Sequence, residues 1–286
     1  MVPDRFPLIT PAALGRLLRE NEIVLLDART GPGAPEKHAA LHLAGARFVD
    51  AETELAGPTA NPSRGGRHPL PRIADFARAL QRLGITPQSR VVVYDDKNGS
   101  SAAARCWWML RAVGHESVQV LDGGLQAALA AGVPTGSGMA APPVATTYPV
   151  SQWLLPLATI DQVATAARDA RFLVIDVRAA ERYRGETEPI DAVAGHIGGA
   201  VNVPFTGNLD PEGFFLPPAE LKQAYEKVLA NRPAGRVIVH CGSGVTACHT
   251  LLALAYAGLE MPSLYVGSWS EWSRTGRPVA RTRATR

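Results

Sequence analysis

Residues 237 to 250 read VIVHCGSGVTACHT. A β-branched run ends at Cys241, passes through Gly242, Ser243 and Gly244, and continues into an apolar helical pattern. This spacing places a thiol at a strand tip and starts a helix near Val245 or Thr246. Glycines admit backbone angles closed to other residues, so Gly242 and Gly244 can turn successive N–H groups inward as an anion-binding nest. The helix start adds unpaired N–H groups and a positive dipole end. A thiolate is the nucleophile such a cradle serves. A free cysteine is only a few per cent thiolate at neutral pH. Shifting that balance a hundredfold takes about 2.7 kcal/mol. Helix termini supply about 1 to 2 kcal/mol and each hydrogen bond to a charged group about 1.5 to 3. The loop can therefore favour the anion without a histidine base. The competing reading is a small buried hydrophobe at a strand end, and the flanking glycines argue against it.

Two other cysteine chemistries fit poorly. Zinc sites use spacings such as C-x2-C or H-x3-H, whereas Cys241 and Cys248 flank a loop and a helix turn, so no metal is expected. A cysteine phosphatase needs an arginine six residues after the nucleophile to grip phosphate bidentately. That position is Ala247.

The elements that must position Cys241 occur twice. VLLDAR at 24–29 is echoed by LVIDVR at 173–178, HLAGA at 42–46 by HIGGA at 196–200, and RVVVYD at 90–95 by RVIVHC at 236–241. Gly123 in LDGGLQ is echoed by Gly267 in YVGSWS. Collinear matches roughly 150 residues apart indicate a duplicated domain, not a short-period solenoid. Within each half, strand-like runs (VLLDA, RVVVYD, SVQVLD; FLVID, RVIVHC) alternate with helical ones (AAARCWWMLRAVG; PAELKQAYEKVLA, VTACHTLLALAYAG). That alternation predicts an α/β fold with parallel sheets flanked by helices, and ligands in such sheets bind beyond the carboxyl ends of the strands. GSGMAAPPVATTYP at 136–149 has linker composition. The expected organisation is one domain over 1–138, a linker over 139–156 and a second domain over 157–286.

Bulk properties exclude several classes. The 286 residues are 46% hydrophobic and 19% charged, ordinary for a globular chain with a sizeable core. A net charge of +3 argues for neither nucleic acid nor a membrane surface. Arg281, Arg283 and Arg286 read as a solvated tail. No stretch approaches the roughly 18 apolar residues of a membrane span, and the N-terminus lacks a secretory pattern. Three cysteines cannot build a disulfide framework, so a cytoplasmic, reducing compartment is expected.

With these residues assembled, the chain resembles the tandem-domain sulfurtransferases, the family of rhodanese and 3-mercaptopyruvate sulfurtransferase. The likeness runs from LLDAR to GSWSEW, and its most specific piece is Cys241 through His249. The resemblance implies two tandem rhodanese-like domains and a ping-pong mechanism. Cys241 takes a sulfur from a small-molecule donor as a persulfide and passes it to a thiol or cyanide acceptor. No cofactor is implied, a thioredoxin-like reductant is an implied partner, and a monomer suffices. Asp95 occupies the cysteine position of the first half, which is then the inactive domain, kept for packing and for one wall of the active-site cleft.

Donor choice rests on the loop. Rhodanese proper carries basic residues after the cysteine; Gly242 and Ser243 instead match the mercaptopyruvate form, with Val245 and Thr246 completing the loop. Ser243 either assists proton movement, as the family implies, or bonds its own loop backbone. Arg182, in ERYRGETEP, matches the family arginine that meets the donor, the alternative being an exposed salt bridge. A second family arginine after Glu188-Pro189 is Ile190 here, which keeps thiosulfate open as donor, with Arg184 as a partial substitute. His68, in GRHPLP, matches a histidine assigned to a relay with the serine and an acidic residue, here Glu52 with Asp50 nearby; the alternative is a solvated loop histidine. A persulfide carrier loaded by a partner protein is the non-enzymatic alternative. Trp107, Trp108, Trp269 and Trp272 read as packing or interdomain contacts, Asp176 and Arg178 as fixing the loop after their strand, and His196 as a structural turn residue. Cys248 and His249 read as buried, with Cys248 able to resolve an oxidised Cys241.

Overall fold

The structure is a computed structural model of the chain and describes residues 6–20, 23–139 and 147–282. Contacts divide it into two compact units. One contains 1–57, 71–155 and 211–215; the other contains 58–70, 156–210 and 216–286. The segment 58–70 therefore belongs with the second unit although it precedes most of the first in the chain.

The first unit holds a five-stranded sheet in the order Leu8–Ile9, Val118–Leu121, Val91–Tyr94, Val24–Asp27, Arg47–Phe48, every pairing parallel. The second holds a four-stranded parallel sheet in the order Val201–Asn202, Leu173–Asp176, Val237–His240, Ser263–Leu264. Val91–Tyr94 and Val237–His240 are buried along their whole length. Strands covered on both faces need unbroken apolar runs, not alternation, and that is what these sequences supply. The long helical patterns become Ala102–Ala112, Pro218–Leu229 and Thr246–Tyr256. Trp107 and Trp108 are buried in the first of these, and Trp269 and Trp272 join the core of the second unit with Val174, Ile197, Ile238 and Tyr265.

The duplication is visible as chemistry. After each first-repeat strand an arginine folds back on the aspartate two residues before it. Arg29 Nε donates to both Asp27 oxygens at 3.0 and 2.9 Å, and Arg178 Nε to both Asp176 oxygens at 3.0 Å. Nη2 of each guanidinium, itself on the aspartate, also donates to the carbonyl just before the histidine turn, Leu41 at 2.8 Å and Gly195 at 2.7 Å. All four charged side chains are buried. A buried charge is tolerated when paired and fully hydrogen-bonded, so each fork fixes the loop after its strand. His196, whose Nδ1 meets the Tyr183 carbonyl at 2.7 Å, is part of the same structural corner.

The segment with linker composition divides. Residues 140–146, like Arg283 and Arg286 of the basic tail, lie outside the described residues. Residues 147–155 pack on the first unit: Tyr148 OH meets His115 Nδ1 at 2.9 Å, and the Trp153 ring lies 5.4 Å from Phe76. Two aromatic side chains supply the apolar area that a solvated linker lacks. Arg281 is exposed and donates to the Ala194 carbonyl at 3.2 Å.

Candidate active site around Cys241

Val237–His240 lies between two parallel neighbours in the sheet, and Cys241 follows at its carboxyl end. The helix starts at Thr246, and no side chain caps it, which leaves its first N–H groups facing the loop. Gly244 has φ +77°, and a Cβ there would press on the Val266 backbone, so this position requires glycine. Gly242 does not share the left-handed angle expected from sequence. A Cβ built on it would sit at ordinary contact distance, 3.5 Å from Arg67 Nη2 and 3.7 Å from Arg182 Nη1, so this point of the loop faces two guanidiniums.

Cys241 is 1% exposed. Its hydrogen bonds run through its backbone. The Cys241 N–H donates to Ser268 Oγ at 3.2 Å, the Trp269 N–H donates to the Cys241 carbonyl at 3.1 Å, and the Ser270 N–H to the Gly242 carbonyl at 2.9 Å. The Ser268 hydroxyl in turn donates to the Tyr265 carbonyl at 2.8 Å. Ser268 has φ +54°, an angle that costs a residue other than glycine about 1 to 2 kcal/mol. The repeat explains the choice: its counterpart is Gly124, with φ +63°. Both units need a left-handed residue there, and the second uses a serine because its hydroxyl receives the Cys241 N–H. Gly267 and Trp269 are visible in the sequence as repeat and packing residues; the serine between them carries no signal until the two loops are compared in space.

The two histidines adjoining this segment are buried and do not serve as bases. His240 places Nδ1 3.1 Å from the Cys241 carbonyl, and burial lowers its pKa. Burial pushes His249 down to about 3. The Cys248 thiol is buried and donates to the Gly244 carbonyl at 3.3 Å.

Three further segments converge on the loop. The Gly65 N–H donates to Glu271 Oε1 at 2.7 Å and the Arg67 N–H to Ser270 Oγ at 3.0 Å, which lays residues 65–68 flush on the 267–271 turn. Gly66, φ +80°, has no room for a Cβ against the Gly267 carbonyl. The same segment brings His68 Nδ1 to 2.8 Å from Ser243 Oγ. Ser243 thus pairs with the histidine. Glu52 sits on an exposed turn of the first unit, where its N–H donates to Asp50 Oδ1 at 2.8 Å.

Arg182 lies in the short helix Ala180–Arg184. Its Nη2 meets Glu188 Oε1 at 2.6 Å and its Nε meets Oε2 at 3.3 Å, while Nη1 and Nη2 lie 3.7 and 3.8 Å from a Cβ built on Gly242. It is salt-bridged, yet its side chain is only 16% exposed. Arg184 is engaged by Glu186 at 2.7 and 2.8 Å, and Ile190 is an exposed apolar residue. Asp191 is buried between Arg67 and Arg274, the latter at 2.6 Å. Burial alone would push its carboxyl up, but hydrogen bonds from those two guanidiniums hold it below the usual carboxylate range. Arg67 and Asp191 were not singled out from sequence.

The first unit shows which donors this loop architecture offers to a side chain at that position. Asp95 stands at the cysteine position, fully buried. Its Oδ1 accepts N–H bonds from Lys97 and Gly99 at 2.9 and 2.8 Å, and its Oδ2 from Ser101 and Ala103 at 3.1 and 3.0 Å. Burial pushes the Asp95 pKa up against the pull of these four donors.

The family description "Rhodanese-like domain" matches residues 10–131 and again residues 159–275. The chain belongs to the rhodanese-like family, in its tandem-domain form. It is 42% identical to the "Probable 3-mercaptopyruvate sulfurtransferase" of Pseudomonas aeruginosa, over 96% of this chain and 97% of that one. It is 40% identical to the "Putative thiosulfate sulfurtransferase SseB" of Mycobacterium tuberculosis, over 96% of each. The solved structure of 3-mercaptopyruvate sulfurtransferase from Leishmania major superposes with a TM-score of 0.84 at 29% identity, covering 97% of this chain and 77% of that one. The chain is a sulfurtransferase. Among its described residues no helix is long and apolar enough to cross a membrane.

Proposed function

We propose that this sulfurtransferase moves sulfane sulfur from 3-mercaptopyruvate to a thiol or cyanide through a persulfide on Cys241. The observation that carries the reading is the position of Cys241: at a strand end, one residue from a glycine that faces two guanidiniums, and two from a serine hydrogen-bonded to His68. The thiolate attacks the donor sulfur, and the carbon–sulfur bond breaks with its electron pair on carbon. The resulting enolate takes up the proton that the donor thiol gives up, and pyruvate leaves. In this reading the Ser243–His68 pair carries that proton, and their hydrogen bond supports it. A cyanide or thiol then attacks the outer sulfur and returns the Cys241 thiolate. Arg182, held by Glu188, offers a planar fork to the donor carboxylate. Glu52 is the acidic member of the relay in this reading.

The inactive domain (1–138), the linker (139–156) and the catalytic domain (157–286) complete the assignment. Asp95 supports it in two ways. A carboxylate cannot accept a sulfur. Its oxygens also stand one bond beyond the atom matching a cysteine sulfur, which is where the outer sulfur of a persulfide would lie. The four donors on Asp95 thus illustrate how such a loop holds a persulfide anion. Three buried free thiols agree with a reducing, cytoplasmic setting. A monomer served by a thioredoxin-like reductant is the simplest form of the enzyme.

Thiosulfate is the second reading, favoured by uncharged Ile190 and by the relative named for that donor. Steady-state kinetics with cyanide and each donor decide between them. The expected kcat/KM for 3-mercaptopyruvate exceeds that for thiosulfate at least tenfold, about 1.4 kcal/mol of transition-state preference. Ser243→Ala lowers kcat for mercaptopyruvate and leaves thiosulfate, which has no thiol proton to move, less affected. Equal or greater efficiency with thiosulfate would overturn the donor assignment, and a single equivalent of product would point to a carrier.

A further inference from the structure

The two units differ at the amino-terminal end of their sheets, away from Cys241. In the first unit Gln119, which stands opposite Val92, donates from Nε2 to the Phe6 and Leu8 carbonyls at 3.0 and 3.1 Å and accepts Arg90 Nη2 on Oε1 at 3.2 Å. One amide thus joins the edge strand to the arginine that precedes Val91–Tyr94. The counterparts in the second unit are Ser263, opposite Ile238, and Arg236. A serine is too short to repeat that bridge. Arg236 instead has its guanidinium carbon 6.0 Å from the centre of the Phe172 ring, and among the described residues no acceptor is hydrogen-bonded to it. Each unit has a groove at this place. The groove of the first unit, about 350 Å³, is lined by Arg90 and Gln119, already bonded to each other. The groove of the second, about 400 Å³, has Leu157, Ala158, Ala166, Phe172 and Ile238 as apolar lining, with Ser263 and Gln162 among its polar groups. Gln162 spends Oε1 on the Thr159 N–H at 2.8 Å, which leaves its NH2 as a donor.

We propose that the groove of the second unit binds a small aromatic carboxylate, its ring on the apolar lining beside Phe172 and its anionic group on Arg236. The charge at the rim supports an anion. Segments 168–172 (RDARF) and 232–236 (RPAGR) are joined through Arg232 Nη2, which donates to the Ala170 carbonyl at 3.1 Å, and together they carry four arginines against one aspartate. That aspartate, Asp169, is gripped by Arg171 Nη2 at 2.6 Å. Asp161, the acid that lines the groove, is paired with Arg277 at 2.5 Å. Among the described residues Arg168, Arg232 and Arg236 are left without a carboxylate partner. The planar fork of a guanidinium matches a carboxylate, and a mostly apolar hollow of this volume with a few polar groups suits a molecule of one or two rings. Arg236 opens the strand whose far end carries Cys241, four residues or about 13 Å away, so a ligand there leaves the catalytic loop open.

The probes are naphthoate and its neutral isostere naphthamide, titrated by calorimetry into wild type, Arg236→Gln and Ser263→Gln. The last variant gives the second unit the amide that occupies the arginine in the first. Wild type should bind one equivalent of naphthoate with Kd below about 1 mM, and saturating pyruvate should not displace it. Arg236→Gln should weaken naphthoate about tenfold or more and naphthamide less than about threefold, with sulfur transfer unchanged. Ser263→Gln should weaken naphthoate in the same direction. Arg236 is exposed, so its variant keeps the test available if the strand variant does not fold. Amide shifts in the NMR spectrum of wild type locate the ligand without any substitution, and those of Phe172, Gly235 and Ser263 should move. No saturable binding, displacement by pyruvate, equal losses with both probes in Arg236→Gln, or shifts confined to other residues would each overturn the proposal.

Discussion

Replacing Cys241 with serine abolishes sulfur transfer, by a factor of about 10⁴ or more in kcat, and leaves the fold intact. The loss is large because a serine hydroxyl is a far weaker nucleophile towards sulfur, and no base stands free beside it. His240 is turned toward the backbone, and His249 is buried and neutral. His68 is already hydrogen-bonded to Ser243. The fold survives because Cys241 is held by its backbone, through Ser268, Trp269 and Ser270 for the 241–242 pair, and serine keeps all of those bonds. Thiocyanate or pyruvate release measures the activity, and circular dichroism with thermal unfolding measures the fold. Turnover within tenfold of wild type in the serine variant would remove Cys241 from the mechanism.

Asp95→Ala is expected to destabilise the first unit by about 3 to 5 kcal/mol, because four N–H groups, those of Gly99 and Ala103 buried and those of Lys97 and Ser101 partly so, lose their acceptor at once. Each unsatisfied donor costs about 1 to 3 kcal/mol, and the penalties overlap because the loop can relax and admit water. For a unit of this size the unfolding midpoint should fall by about 10 °C or more. Asp95→Asn retains one oxygen for two of the donors and should lie between. Differential scanning calorimetry separates the outcomes. A shift of only one or two degrees would mean that the cradle does not depend on its anion. Loss of sulfur transfer in a variant of unchanged stability would instead place Asp95 in the chemistry, against the assignment of the first domain as inactive.

The parts legible in the sequence were those whose cause is local. The run VIVH, the glycine at 244 and the apolar helix specify strand, loop and helix through neighbouring residues, and the duplication doubled each signal. His68 was legible only through resemblance, because its partner Ser243 is far away in the chain. Arg67 escaped for the same reason. Nothing in GRHPLP reveals that 58–70 folds into the second unit, and only that placement brings the guanidinium to Gly242. Gly242 itself was misread: its backbone is not left-handed, and what the structure adds there is the approach of two guanidiniums. Ser268 ran the other way, a non-glycine in a left-handed position that only its Gly124 counterpart makes intelligible. Tyr148 and Trp153 lay within a proline-rich stretch whose average composition hid them.

The central claim is that sulfur rests on Cys241 between the two half-reactions. Mass spectrometry of the protein after exposure to 3-mercaptopyruvate without acceptor tests it directly. The account predicts a gain of one sulfur atom's mass, confined to the peptide carrying Cys241 and removed by cyanide with formation of thiocyanate. An unchanged mass under conditions of active turnover, or the added sulfur on Cys106 or Cys248, would contradict it.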